Sequence, residues 1–409
     1  MLRIERKSKR RVWLGVLCAA LIVLAVGAGA VYSYGRWKSP AETPEVKSVS
    51  QVNQVPKPAS VESNMLVMGD VYWGRYVNDW SMASDLKTAY PFSRLSEFER
   101  DKYDAWIADM ECPITNNPKV SSRVEDNTLT FDCDPKYLPE ARKWFTAMTL
   151  ANNHTDNQGP EGLVETRRHL QDNNMQYFGT YDPDDHQHLC DVLAIPARVT
   201  MSDKTVKQGK LPIVWCGYHG VFKTPNLASM QVMSRYSKYF NIVAMPHSGA
   251  EYKPEPDEIK TTWYRALIDN GADVVVGDHP HWVQTSEAYK GKLIMYSLGN
   301  FIFDQQFNAE VTRGAVLRMT VSVNAKDAPD IDRWLALGET CVTYQDACLK
   351  TATDQELVKL PLHYHYAVLG SNDSGKITHR ADAAQLESIK QRLRWQQTIL
   401  GLSGNNSGE

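Results

Sequence analysis

The chain has 409 residues, with 45 Lys and Arg against 48 Asp and Glu, a formal net charge of −3. So near a balance excludes a bulk electrostatic pull toward nucleic acid or anionic lipid. Its seven cysteines include no C-x-x-C pair, which excludes the usual thiolate zinc and dithiol redox motifs.

At the N-terminus Arg3, Arg6, Lys7, Lys9, Arg10 and Arg11 face one acid, Glu5, and an uncharged apolar run follows from Val12 to Tyr34. A run of roughly 20 apolar residues is long enough to cross a bilayer core of about 30 Å. Basic residues before it put residues 1–11 in the cytoplasm and the remainder outside. We expect a retained single-pass anchor in the cell membrane over 12–34. A cleaved signal peptide ending near Ala28-Gly29-Ala30 is the alternative. Cys18 lies in this run. The other cysteines, an even number, would sit in an oxidising compartment where disulfides form, with Cys341 and Cys348 the favoured local pair.

Residues 35–62 hold Pro40, Pro44, Pro56 and Pro58 among Ser, Val, Lys and Glu, without a sustained apolar period. They are expected to form an extended linker. Beyond it, apolar runs at MLVMGD, AWIADME, FTAMTLANNH, PIVWCGY, NIVAMPH, ADVVVGDHPH and KLIMYSLGN predict short buried strands. Between them, 160–173 predicts a helix with Pro160 in its first turn and Leu163, Val164 and Leu170 as its apolar stripe. A second helix is expected over 256–270, with Ile259, Trp263, Ala266 and Leu267 on one face and Gly271 as its cap. Alternating strands and helices predict an α/β domain. We place it at 63–325, followed by a C-terminal extension over 326–409 that ends in an amphipathic helix at 383–400.

The candidate chemistry lies where these strands end. Asp70 closes the first, Glu111 the second, and Asn152, Asn153 and His154 the third; His247, His279 and His281 follow two more. Open α/β sheets bind ligands beyond the carboxyl ends of their strands. Carboxylates, an amide oxygen and imidazoles together suit a divalent ion, with Mn, Zn or Fe favoured over Mg by the nitrogen donors. A bridging carboxylate can hold two ions about 3.5–4 Å apart. Taken singly, each residue is more ordinary: a strand-end acid is usually a turn residue or cap, and a His-x-His pair can simply alternate on a strand. Glu251 is a candidate partner for orienting His247. Asn300 and Asp304 are candidates to line the cleft, as are Trp73 and Trp282. His363 and His365 read as one strand face.

Across 64–305 the chain resembles the CapA family of poly-γ-glutamate capsule proteins. GDVYWGR at 69–75, MECPI at 110–114 and LANNH at 150–154 look like its first three motifs. HSGAEY at 247–252, DNGADVVVGDHPHWVQ at 269–284 and YSLGNFIFDQ at 296–305 look like the rest, in the same order. The resemblance implies a calcineurin-like metallophosphatase fold, with two packed β-sheets flanked by helices. It also implies metal positions at Asp70, Glu111, Asn153, His247, His279 and His281, with His154 as a candidate general acid. Departures are Ser248 in place of the family's Trp, Asn157 in place of an Asp, and Tyr72 where metallophosphatases carry a His. One or two divalent ions, or none, fit that pattern. Implied partners are poly-γ-glutamate or a related anionic envelope polymer, the membrane and other capsule synthetase subunits, with Arg75 and Arg313 as binding charges. A metal-dependent hydrolase and a non-catalytic scaffold are the alternative functions.

Overall fold

The computed structural model describes residues 55–341 and 345–409. The expected cytoplasmic tail, the anchor and residues 35–54 of the linker lie outside the described residues. No helix among those described is long and apolar enough to cross a membrane.

The strands are β1 Pro58–Val71, β2 Ala105–Met110, β3 Ala147–Thr149, β4 Gln176–Phe178, β5 Cys190–Met201, β6 Val206–His219, β7 Ile242–His247 and β8 Val274–Val276. They continue as β9 Ser286–Tyr289, β10 Lys292–Met295, β11 Asn300–Ile302, β12 Arg313–Asn324, β13 His363–Asn372, β14 His379–Arg380 and β15 Asn406–Gly408. With helices on both sides, they form an α/β fold around one large sheet. Instead of two separate sheets, all the strands belong to one hydrogen-bonded network that branches at β1. The first half of β1 pairs antiparallel with β5 and β12, and its second half pairs parallel with β2 and β11. One arm runs β1-β2-β3-β4; another runs β5-β6-β7-β8-β10-β9.

The branching follows from the sequence of β1. Its early residues alternate buried and exposed, whereas Met65–Val71 is buried throughout, as expected of a strand covered on both faces. Met65 and Val67 join Ile107, Ala147, Val214 and Val243 in the core shared by the two arms. Leu66 and Met68 point the other way, into an aromatic core with Trp73, Phe98, Trp106 and Phe301.

Several expectations need correction. The extended linker stops short of residue 62, because Pro58–Glu62 pairs on both sides and is part of β1. The region after 325 is not an extension: β13 pairs with β12 from Arg313↔Asn372 to Ser322↔His363, continuing the sheet. The helix near 160 runs Gly159–Asp172 but buries Gly162, Thr166 and Leu170, while Val164 is 66% exposed. The next, Glu258–Asp269, buries Lys260, Trp263, Tyr264, Leu267 and Ile268 and leaves Ile259 exposed; Gly271 follows its end at φ +118°. The terminal helix is two, Ala383–Leu393 and Trp395–Gly401, broken at Arg394, whose φ is +54°. Three disulfides form: the expected Cys341–Cys348, with Cys112–Cys133 and Cys190–Cys216.

Candidate metal centre

Backbone geometry at the end of β1 aims Asp70. Side chains alternate between the two cores up to Met68, and the register with β2 then shifts between Val67 and Asp70. Such a bulge re-aims the side chain that follows. Gly69 makes the close approach possible, since a Cβ there would lie 1.9 Å from the carbonyl oxygen of Gly299. The same contact brings Asp70 alongside Asn300. Glu111 follows β2, and its amide donates to Val71 O at 3.0 Å, which ties the two acids together through backbone.

Asp70, Glu111, Asn153, His247, His279 and His281 do converge. Donor atoms of Glu111, His247 and His279 lie within 4.8 Å of one another, as do those of Asp70, Glu111 and His281. His247 Nε2 is 2.7 Å from Asn153 Oδ1, 3.1 Å from His279 Nδ1 and 3.7 Å from Glu111 Oε1. His281 Nδ1 lies 2.8 Å from Asn300 Oδ1 and 3.1 Å from Asp70 Oδ2. His279 and His281 are not alternating strand residues: β8 ends at Val276, and both sit in a loop at φ +96° and +56°. Strained backbone of this kind at non-glycine residues persists where surrounding structure enforces it and clusters at functional sites.

Asp109, which strand-end reading passed over, is the acid beside His247. Its Oδ2 is 2.6 Å from His247 Nδ1, and its Oδ1 accepts from Asn152 Nδ2 at 2.8 Å. Asn152 in turn accepts at Oδ1 from the His154 amide and from Thr155 Oγ1. A carboxylate behind a ligating imidazole fixes the ring and raises its basicity. Glu251 does not fill that role; it is exposed at a turn. The signal for Asp109 was its spacing: two residues before Glu111 on one strand, it shares that residue's face. Asp278 was also missed. It is buried at the β7–β8 crossing, where it bridges His247.

Burial of so many acids has an electrostatic price. Burial first, then the charges of Asp70 and Asp109, pushes Glu111 well above the usual carboxylate range. Burial raises Asp109 to about 7 and Asp278 further. Burial holds His247 down at about 3 and His279 well below its ordinary value, so both rings are neutral donors of the kind a metal needs. For His281, burial is outweighed by the hydrogen bond and charge of Asp70, which raise it.

Both oxygens of Glu111 and Oδ1 of Asp70 are buried without a hydrogen-bond partner among the described residues. Native structures rarely leave such groups unmatched. Carboxylate oxygens converging with neutral imidazole nitrogens satisfy that demand if they ligate a divalent cation, so the residues fit a metal. We expect Asp109→Asn to keep the fold and weaken metal binding by about 10–100-fold, read by chelator competition; unchanged affinity would remove Asp109 from the centre.

His154 lies at the rim, Nδ1 2.8 Å from Asn157 Oδ1, Nε2 3.9 Å from Glu111 and its ring stacked 3.7 Å from Phe131. Burial lowers it to about 3, so it is a neutral hydrogen-bonding group rather than a standing general acid. Asn300 holds His281 as described, but Asp304 faces away, locked to Arg75 at 2.5 and 2.6 Å. Arg75 is therefore an internal ion-pair partner, not a rim charge, and Arg313 is engaged by Ser388 and Glu310. Tyr72 donates its hydroxyl to Glu125, away from the cluster. Trp73 is buried in the core yet forms part of the wall of a cavity of about 310 Å³ that Lys119 and Glu125 also line, whereas Trp282 is half-buried. His363 and His365 lie apart, on β13, with His365 bonded to Ser407.

This is an α/β protein whose strand ends gather buried carboxylates and imidazoles in positions that could hold a metal ion. Its family is shown by comparison with known sequences: residues 64–305 match the family described as bacterial capsule synthesis protein PGA_cap, and the chain belongs to it. It is similar to the capsule biosynthesis protein CapA of Bacillus anthracis, 26% identical over 253 residues, 59% of this chain and 60% of that one. The match thus spans less than two thirds of that relative. The PGA biosynthesis protein CapA of Bacillus subtilis (strain 168) is 28% identical over 314 residues, 75% of this chain and 76% of its own. A short stretch is 39% identical over 70 residues to the uncharacterized protein y4sH of Sinorhizobium fredii, 17% of this chain and 15% of that one.

Proposed function

We propose that this is a membrane-anchored capsule protein that acts outside the cell in the synthesis, export or surface attachment of poly-γ-glutamate. The observation that carries the reading is the buried acid–imidazole cluster at the strand ends, in a chain of the capsule synthesis family. The names of the two Bacillus relatives support the capsule assignment. The basic residues before the Val12–Tyr34 run support a tether with the folded body outside.

Asp70, Glu111, Asn153, His247, His279 and His281 would hold one or two divalent ions. A bound ion supplies positive charge for an anionic polymer and lowers the pKa of a coordinated water. Asp109 orients His247, and Asn152 orients Asp109. Asn300 and Asp70 fix His281, leaving its other face toward the ring of Tyr252. His154 and Glu111 stand on one side of the cluster, so a group entering there meets a neutral imidazole and a carboxylate together. That juxtaposition favours a hydrolase as the second reading, with His154 as hydrogen-bond partner of the departing group. Other capsule synthetase subunits would be the partners of a third, purely structural role.

The test is a strain carrying His279→Ala with His281→Ala at normal membrane level and with normal folding. Surface poly-γ-glutamate should be lost. Polymer at the unsubstituted level would make the cluster dispensable and leave the scaffold role.

A further inference from the structure

A cavity of about 260 Å³ lies beside the centre, lined by Gly220, Ser248, Gly249, Asp257, Lys260 and Trp263 among others. It opens beyond the carboxyl ends of β6 and β7, since Gly220 follows His219 and Ser248 follows His247. Its wall shares backbone with the metal-type cluster: the Gly220 amide donates to His247 O at 2.9 Å, and the Ser248 amide to Asp278 O at 3.2 Å. The third side is the first turn of the helix Glu258–Asp269.

Lys260 is the unusual member of this lining. A lysine in an amphipathic helix ordinarily reaches water, yet this one is 2% exposed. Its ammonium donates to Ser248 O at 2.8 Å and forms no ion pair within 4.0 Å of any carboxylate among the described residues. An ammonium has three donors, and a buried one is costly unless matched. Trp263, on the same helix, turns the benzo edge of its indole toward Gly220, where an added Cβ would lie 2.6 Å from it. Space beside the ammonium is kept open by Gly249, at φ +102°, where a Cβ would lie 3.0 Å from Lys260 Cδ. The Lys260 ammonium, whose other close neighbour is the Tyr264 ring at 5.2 Å, thus brings spare donor capacity to the cavity wall, and what it lacks is an acceptor.

Burial pulls Lys260 down to about 7, and the charges of Asp278 and Asp70 oppose that shift only in part. Asp70 is also a ligand of the centre. A divalent ion held by Asp70 and Glu111 would draw that negative charge to itself and leave the ammonium more in need of an anion.

We propose that this cavity is a carboxylate-binding subsite in which Lys260 holds one carboxylate of an anionic chain whose adjoining groups reach the metal centre. The choice of a γ-linked glutamyl carboxylate rests on the function proposed above. A single cation matches a monoanion, and Asp257 on the rim disfavours the second charge of a phosphate. Because the ion and Lys260 share the acids between them, occupancy of the centre and of the subsite strengthen each other.

The test uses the full chain in detergent, loaded with Mn, titrated calorimetrically with γ-glutamyl-glutamate, acetate and inorganic phosphate. Lys260→Gln keeps the stem and a donor for Ser248 O but removes the charge. It should weaken the dipeptide and acetate by at least about tenfold with metal content unchanged, the loss expected for a charge-assisted hydrogen bond. Phosphate should not compete. Acetate binding that depends on Lys260, without dipeptide binding, would support the subsite while removing poly-γ-glutamate as its ligand. Equal affinity of Lys260→Gln and the unsubstituted chain, or a site that prefers phosphate, would overturn the proposal and leave Lys260 as a counter-ion for the buried acids.

Discussion

Glu111→Gln is expected to fold, to melt at a higher temperature than the unsubstituted chain when both are metal-free, and to retain almost no divalent ion. Glu111 is fully buried, and both its oxygens lack aligned partners. Its neighbours Asp70, Asp109 and Asp278 are also buried acids, and their charges add to the cost of ionising it. An amide of the same shape removes that repulsion, and sites held in unfavourable electrostatics for function commonly gain stability when neutralised. The same change replaces a carboxylate common to two of the three donor groups by an uncharged amide, so affinity should fall by more than the roughly 10–100-fold typical of an indirect partner. Metal analysis by mass spectrometry and melting in chelator read the two effects separately. Full metal content in Glu111→Gln would sink the assignment of the centre.

The same electrostatics sets a pH dependence. A carboxyl whose folded pKa is raised keeps its proton to higher pH, and a metal must displace it. With Asp109 at about 7 and Glu111 above the usual range, metal affinity should rise as pH increases through about 7. His247 is neutral down to about 3 and adds no dependence in that window. Ion affinity flat between pH 6 and 8 would contradict the raised carboxyls.

Asp304→Ala is expected to cost about 3–5 kcal/mol of stability, the usual penalty for leaving one member of a buried ion pair alone. Arg75 Nε and Nη2 hold Asp304 at 2.5 and 2.6 Å, and both side chains are buried. The guanidinium also lies 4.9 Å from the centre of the Phe131 ring, which stacks on His154. Without Asp304, its remaining ion-pair partner within 4.0 Å among the described residues is Asp126 at 3.3 Å, which is half exposed. Chemical denaturation should show the loss, and double replacement Arg75→Met with Asp304→Leu should recover much of it. A single variant as stable as the parent would mean that water reaches Arg75.

What sequence reading captured was local. Apolar runs ended at Asp70, Glu111, Asn153 and His247 as expected, because a strand closed by polar residues can be read from a few neighbours. Features set by distant partners were not legible. Arg75 looked like a surface charge because Asp304, which buries it, lies 229 positions away. Nothing in the sequence marks Lys260 as buried, because helical lysines usually reach water and only the folded Ser248–Gly249 turn encloses this one. Val164 and Ile259 fit a helical period, but the faces that pack are the ones centred on Thr166 and Tyr264. The left-handed backbone at His279 and His281 is imposed by the loop that carries them, so alternation on a strand was the wrong model for that pair. Asp109 was within reach, two residues from Glu111, and was passed over because it lies inside the strand rather than at its end.

The placement of β1 has a mechanical consequence. Residue 55 leads within a few positions into a strand hydrogen-bonded on both sides by β5 and β12, and the far end of that strand carries Asp70. Tension applied at residue 55 along the chain would load those bonds in shear, many at once, instead of peeling them singly. Sliding by a single residue would reverse which core each side chain of β1 enters, so the strand either holds its place or gives way entirely. The centre at its far end is thereby insulated from drag on the polypeptide until the whole strand yields.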